Sequence, residues 1–106
     1  MKHFTPTQLA EHLKSAPTQP FLLDVREPWE FDICNIDNST LIPMGQIHTQ
    51  CESLDKSRET VVICHHGVRS RQVAMYLEHL GFNDVINLSG GVDAWAQEVD
   101  ADMAKY

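Results

Sequence analysis

The sequence predicts a three-layer α/β fold in which a small, mostly parallel central sheet is flanked by helices on both faces. Three observations lead there. Short apolar runs at residues 21–25, 40–42, 60–64 and 85–88 alternate with segments of helical period. Alternation of that kind implies right-handed βαβ crossovers. The chain has 106 residues, 42% of them hydrophobic and 22% charged, a size and balance suited to one core.

Each element has its own warrant. Thr5-Pro6-Thr7-Gln8 writes a helix start, with Thr5 as N-cap, Gln8 closing a capping box and Pro6 where a missing N–H costs nothing. Leu9, Leu13 and Ala16 give that helix its apolar stripe, and Pro17 ends it. Phe21-Leu22-Leu23-Asp24-Val25 reads as a strand buried on both faces, and Pro28-Trp29-Glu30-Phe31 as a helical turn. Thr40-Leu41-Ile42 is a further short strand. Residues 45–54 form a weak helical segment without clear periodicity. Thr60-Val61-Val62-Ile63-Cys64 is β-branched, uninterrupted and the best strand of the chain. From Ser70 to Leu80 the period turns helical, with Val73, Leu77 and Leu80 on one face. Gly81 stands as the C′ residue, and Phe82 can fold back on Leu77. Val85-Ile86-Asn87-Leu88 is the next strand, and Ser89-Gly90-Gly91 turns into a last helix around Val92–Trp95. We expect one domain over residues 1–106, with its core roughly at 4–97.

Composition removes several classes. Eight Lys and Arg against fifteen Asp and Glu give a net charge of −7, which argues against an extended nucleic-acid surface. No apolar run approaches the roughly 20 residues of a membrane span, and Met1–Pro6 has no signal-peptide pattern. Cys34, Cys51 and Cys64, spaced 17 and 13 apart, are neither a disulfide framework nor a C-x-x-C pair. A soluble chain with reduced thiols, in the cytoplasm, is the expectation.

Ligands of an open α/β sheet bind at the carboxyl ends of its strands. The 60–64 strand delivers Cys64 to that edge, and the 21–25 strand delivers Arg26. After Cys64, the short loop His65-His66-Gly67-Val68-Arg69 leads into a helix. Such a loop aims backbone N–H groups at one point, and with the positive helix end it favours a sulfur anion at Cys64. Gly67 admits a backbone angle barred to other residues. Arg69 adds a fixed charge and a planar fork for sulfate-like oxygens, and Ser70 can cap the helix. Arg26 has two readings: a donor-binding group, or the structural partner of a carboxylate such as Asp24 or Glu30.

Three motifs resemble those of rhodanese domains: Leu23-Asp24-Val25-Arg26-Glu27-Pro28-Trp29-Glu30-Phe31, the loop Cys64-His65-His66-Gly67-Val68-Arg69-Ser70, and Gly81-Phe82 through Val85, Leu88, Gly90-Gly91 and Ala94-Trp95. They fall in the family's order across residues 4–97. The resemblance implies an enzyme, a rhodanese-type sulfurtransferase with Cys64 as nucleophile. Cys64 would take sulfane sulfur from a small donor such as thiosulfate, hold it as a persulfide and pass it to cyanide or a thiol. It further implies that the loop amides from His65 to Arg69 cradle the persulfide, that Arg26 and Arg69 hold the donor's oxyanion, and that His65 and His66 tune donor choice. No cofactor is implied. Two departures stand out. Where the family usually carries Gly-His-Ile and then Gly-Ala, this chain has Cys34-Asn35-Ile36 and Asn38-Ser39. Asn38 tolerates the left-handed region.

Three other functions compete. A sulfur carrier whose acceptor is another protein, or a protein-binding module, would keep the same fold. A Cys-based phosphatase or arsenate reductase places Arg six residues after its Cys, whereas Arg69 is five after Cys64. Metal is not expected, because consecutive residues of a tight loop should point His65 and His66 apart, and no acidic partner is set by spacing. Cys34 and Cys51 read as bystanders, unless one resolves Cys64 as a disulfide. Trp29, Phe31 and Trp95 read as packing residues, Trp29 also as one wall of the site. The acidic stretch 98–102 ends or frays the last helix.

Overall fold

The computed structural model describes residues 1–106. Its elements are β1 (Lys2–Phe4), α1 (Pro6–Ser15), β2 (Phe21–Asp24), α2 (Pro28–Ile33), β3 (Ser39–Leu41), α3 (Ile47–Gln50) between two 3₁₀ turns, β4 (Thr60–Ile63), α4 (Val68–His79), β5 (Val85–Leu88) and α5 (Gly91–Glu98). The five strands form one sheet in the order β1-β5-β4-β2-β3. Every pairing is parallel, so the expected mostly parallel sheet is parallel throughout.

Side-chain alternation along the strands splits the core into two layers. Leu23, Val62 and Val85 point to one face, where Val73, Ala74 and Leu77 of α4 and Ile47 of α3 cover them. Leu22, Val61, Ile63, Ile86 and Leu88 point to the other, against Leu9 of α1 and Val92 and Trp95 of α5. A strand buried on both faces has no room for the polar residues of a half-exposed one, which is why these runs read as continuously apolar.

The local signals operate as physics requires. Thr5 Oγ1 accepts from the Gln8 N–H at 3.2 Å, and Gln8 Oε1 accepts from the Thr5 N–H at 2.9 Å, closing the capping box. At the end of α4, Gly81 takes φ +97° while the Phe82 N–H donates to the Leu77 carbonyl. Asn38 does occupy the left-handed region, at φ +69°. Cys34, in place of a family glycine, is extended at φ −159°, a conformation open to any side chain.

Four expectations shift. The three-residue strand Lys2–Phe4 lies outside the sequence reading because it is too short to show a period, and it pairs with β5. The strands at 21–25 and 60–64 end one residue early, so Cys64 is a loop residue. The helix expected from Ser70 begins at Val68, with Gly67 as its N-cap at φ +97°. Trp29 is not a core residue: it is 60% exposed, whereas Trp95 is core at 8%.

Candidate active site

The site is assembled where β4 runs into α4. Cys64 is 1% exposed, and its sulfur accepts the N–H of Gly67 at 3.1 Å and of Ser70 at 3.3 Å. These donors sit at the start of a twelve-residue helix, whose positive end adds to them. The N–H groups of His65, His66, Val68 and Arg69 have no acceptor within the protein. Of the expected 65–69 cradle, then, only Gly67 holds the resting sulfur, and Ser70 is its second donor.

Ser70 is therefore not the helix cap. It is fully buried, and its hydroxyl accepts from the Cys64 S–H at 3.3 Å while donating to Asn87 Oδ1 at 2.5 Å. Asn87, on β5, also offers its Nδ2 to the Gly67 carbonyl and to His3 Nδ1, both at 3.4 Å. Asn87 escaped the sequence reading, although a lone amide inside the apolar run Val85–Leu88 was its signal.

The Gly90–Gly91 turn braces the loop from behind. The Val92 N–H donates to the Cys64 carbonyl at 2.9 Å, and the Asp93 N–H to the His65 carbonyl at 3.1 Å. The approach demands glycine: a Cβ on Gly91 would lie 2.3 Å from the Cys64 oxygen and 2.4 Å from the His65 oxygen.

The two arginines have different fates. Arg26 is fully buried and forks onto Asp24, with Nη2 2.7 Å from Oδ2 and Nε 2.9 Å from Oδ1. It also donates to the carbonyls of Glu30 and Cys34 and to the Tyr106 hydroxyl. Burial disfavours its charge, but the bonds to Asp24 and Tyr106 outweigh that and raise its pKa. Arg26 thus has no exposed surface, and its guanidinium is engaged by Asp24, Tyr106 and two backbone carbonyls. Arg69 is a third exposed at the loop rim, and both its Nη atoms bind the Glu30 carboxylate, at 2.7 and 2.8 Å. That ion pair raises the Arg69 pKa and, against the opposing effect of burial, holds the Glu30 carboxyl down at about 2.

Tyr106 packs against the loop beside His65, a placement that nothing in the acidic tail announced. Its hydroxyl donates to Glu30 Oε1 at 2.9 Å, its ring stacks on His65 at 3.9 Å between centroids, and Trp29 meets it edge-on. Burial, with the Glu30 bond, pushes its phenol up to about 12. His65 in turn stacks on His66, so the two rings do not diverge as the loop argument expected. Burial and the His66 neighbour lower the His65 pKa. Val68 is 66% exposed beside them. Cys34 and Cys51 are buried free thiols in the two core layers. No helix is long and apolar enough to cross a membrane.

A family model described as "Rhodanese-like domain" matches residues 5–98. The chain is 39% identical to the putative sulfurtransferase YtwF of Bacillus subtilis, covering 92% of this chain and 93% of that protein. It is 32% identical to the thiosulfate sulfurtransferase GlpE of Shewanella oneidensis, over 89% of this chain and 91% of GlpE. The probable adenylyltransferase/sulfurtransferase MoeZ of Mycobacterium tuberculosis is 38% identical over 96% of this chain, which spans only 26% of MoeZ. The crystal structure of a rhodanese-like domain protein from Staphylococcus aureus superposes with a TM-score of 0.84 at 35% identity, over 93% of this chain and 95% of that one. The fold is thus a shared one, and this chain belongs to the rhodanese-like domain family.

Proposed function

We propose that the chain is a sulfurtransferase that carries sulfane sulfur on Cys64. The observation that carries this reading is the pair of N–H donors on the Cys64 sulfur at the α4 N-terminus. The deprotonated sulfur attacks the outer sulfur of thiosulfate. A new S–S bond forms, the bond to the sulfonate sulfur breaks, and sulfite leaves with its electron pair. The terminal sulfur of the persulfide is then an anion within reach of the unpaired N–H groups of the loop, a preorganised donor set that needs no reorganisation. Ser70 can turn its hydroxyl from Asn87 to that anion. Cyanide or a thiolate attacks the terminal sulfur, and thiocyanate or a new persulfide departs, restoring Cys64. Arg69, at the rim, is the group for the donor's sulfonate, in exchange for or beside Glu30. Val68 takes part through its N–H, and His65 and His66 line the approach.

The test is intact mass after incubation with thiosulfate, with and without cyanide. A gain of about 32 Da that cyanide strips, and that Cys64→Ser lacks, is expected of covalent transfer. Full turnover by Cys64→Ser would overturn the mechanism.

A second reading, delivery to a protein acceptor, is favoured by the exposed Trp29 and Val68 flanking a nucleophile that is itself 1% exposed. Sulfurtransferase domains within larger relatives such as MoeZ are consistent with it. A carrier would accept sulfur from thiosulfate or a protein donor, yet release it to a protein thiol faster than to cyanide.

A further inference from the structure

His65 and His66 line the approach to Cys64, and the fold gives them a third companion. Their rings stack with centroids 3.9 Å apart and planes at 29°. Asp93, from the first turn of α5, brings Oδ2 to 3.9 Å from His66 Nε2. One ring nitrogen from each histidine and one carboxylate oxygen all lie within 4.8 Å of one another. Two features set the positions of this trio. The Asp93 N–H is bonded to the His65 carbonyl, which ties α5 to the loop, and Tyr106 lies flat against the outer face of His65, at 13°.

We propose that His65, His66 and Asp93 form a binding site for a divalent borderline transition-metal cation, of the zinc class, on the rim of the Cys64 loop. The donor set selects that class. Two imidazole nitrogens and one carboxylate oxygen suit zinc and its neighbours, whereas calcium and magnesium require mostly oxygen. Bonds of about 2.0–2.1 Å around a tetrahedral ion bring ligand atoms to roughly 3.4 Å from one another, so the trio has to draw in by up to about 1.4 Å. The His66 and Asp93 side chains, 63% and 33% exposed, have room for that movement, in which Asp93 Oδ2 gives up the 3.3 Å bond it accepts from Gln97 Nε2. His65 stays where Tyr106 holds it. Three protein ligands leave a fourth position open toward solvent at the mouth, where water or an anion can sit.

Sequence spacing hid the site because its third ligand arrives from a different helix, twenty-seven residues after His66. Nothing in the proposal requires Cys64, and its test is separable from that of sulfur transfer.

The experiment is calorimetric titration of the reduced protein with zinc chloride at neutral pH. The panel is wild type, Cys64→Ser, His66→Ala and Asp93→Asn, with cobalt absorption as a second readout. One equivalent of zinc is expected to bind to wild type and equally to Cys64→Ser. Affinity should fall about tenfold or more in His66→Ala and in Asp93→Asn, the scale of losing a shell residue. Bound cobalt should show a ligand-field band without thiolate charge transfer. Both substituted side chains reach solvent, and circular dichroism verifies that the variants fold. The proposal is overturned by no saturable binding, by binding lost in Cys64→Ser, or by binding that both His66→Ala and Asp93→Asn leave intact.

Discussion

Glu30 holds Arg69 with both carboxylate oxygens, at 2.7 and 2.8 Å, from a side chain that is only 5% exposed. The same carboxylate takes the Tyr106 hydroxyl and the Glu27 N–H, so one acidic group ties α2, the loop and the tail together. Any anion that Arg69 is to bind must compete with this internal one.

The pair makes stability depend on pH in a definite direction. Glu30 titrates at about 2 in the folded protein, against an ordinary 4.5, so the folded state favours the ionised form. Its contribution is complete above the ordinary value and drains away as pH falls toward the folded one, and linkage sets it on the order of 3 kcal/mol. Glu30→Gln should therefore unfold at lower urea than wild type near neutral pH, with the gap narrowing at about pH 3. A gap that does not change with pH would contradict this assignment.

Arg69→Ala should raise the KM for thiosulfate about tenfold, with a smaller effect on kcat, as expected when a charged hydrogen bond to the donor is lost. Arg69→Lys should recover little, because a single ammonium cannot replace the fork. Steady-state kinetics at varied thiosulfate distinguishes this from a uniform fall in kcat, which would place Arg69 outside donor binding.

Ser70→Ala should slow alkylation of Cys64 by iodoacetamide about tenfold or more. The hydroxyl now bridges Cys64 to Asn87, and turning it onto the sulfur anion adds a charge-assisted hydrogen bond, a difference of about 1.5–3 kcal/mol. An unchanged alkylation rate would show that the hydroxyl keeps facing Asn87 throughout.

Gly91→Ala should cost more than alanine at any of the other four glycines. The added carbon meets two backbone carbonyls of the loop and sits at φ +60°, so the loop itself must move. We expect a thermal midpoint at least several degrees lower, the shift that a loss of about 1–2 kcal/mol produces in a domain of this size, and sulfur transfer reduced further than stability alone explains. A wild-type melting curve would argue against the close approach.

Tyr106→Ala should expose Cys64 to alkylating reagents, because the ring that covers His65 and the hydroxyl that secures Glu30 leave together. Tyr106→Phe separates the two, keeping the stack and losing the hydrogen bond. If both variants react with iodoacetamide at the wild-type rate, the tail is not a cover.

What the sequence disclosed, and what it withheld, follows one physical line. Local chemistry was legible: the Thr5–Gln8 box, the Gly81 turn and the apolar strands each carry their signal within a few residues. The Cys64 loop was legible for the same reason. Relations made by long-range packing were not. Lys2–Phe4 is too short to show alternation, and only pairing with β5 makes it a strand. The sequence left Arg26 two readings, because no local pattern states whether a guanidinium is buried. Trp29 looked like core and became surface when Tyr106, seventy-seven residues away, supplied its partner. Asp93 came beside His66 only through the turn at Gly90–Gly91.

The strand order has a consequence for the chain in time. β1 leaves the start of the sequence unpaired until β5 exists, since Phe4 lies beside Leu88 at one edge of the sheet. During synthesis β2, β3 and β4 can assemble first, while residues 2–4 wait for more than eighty others to be made. Held by a single neighbour, that edge is the last to dock and the first to fray, so its amides should exchange with solvent sooner than those of β4 at the centre.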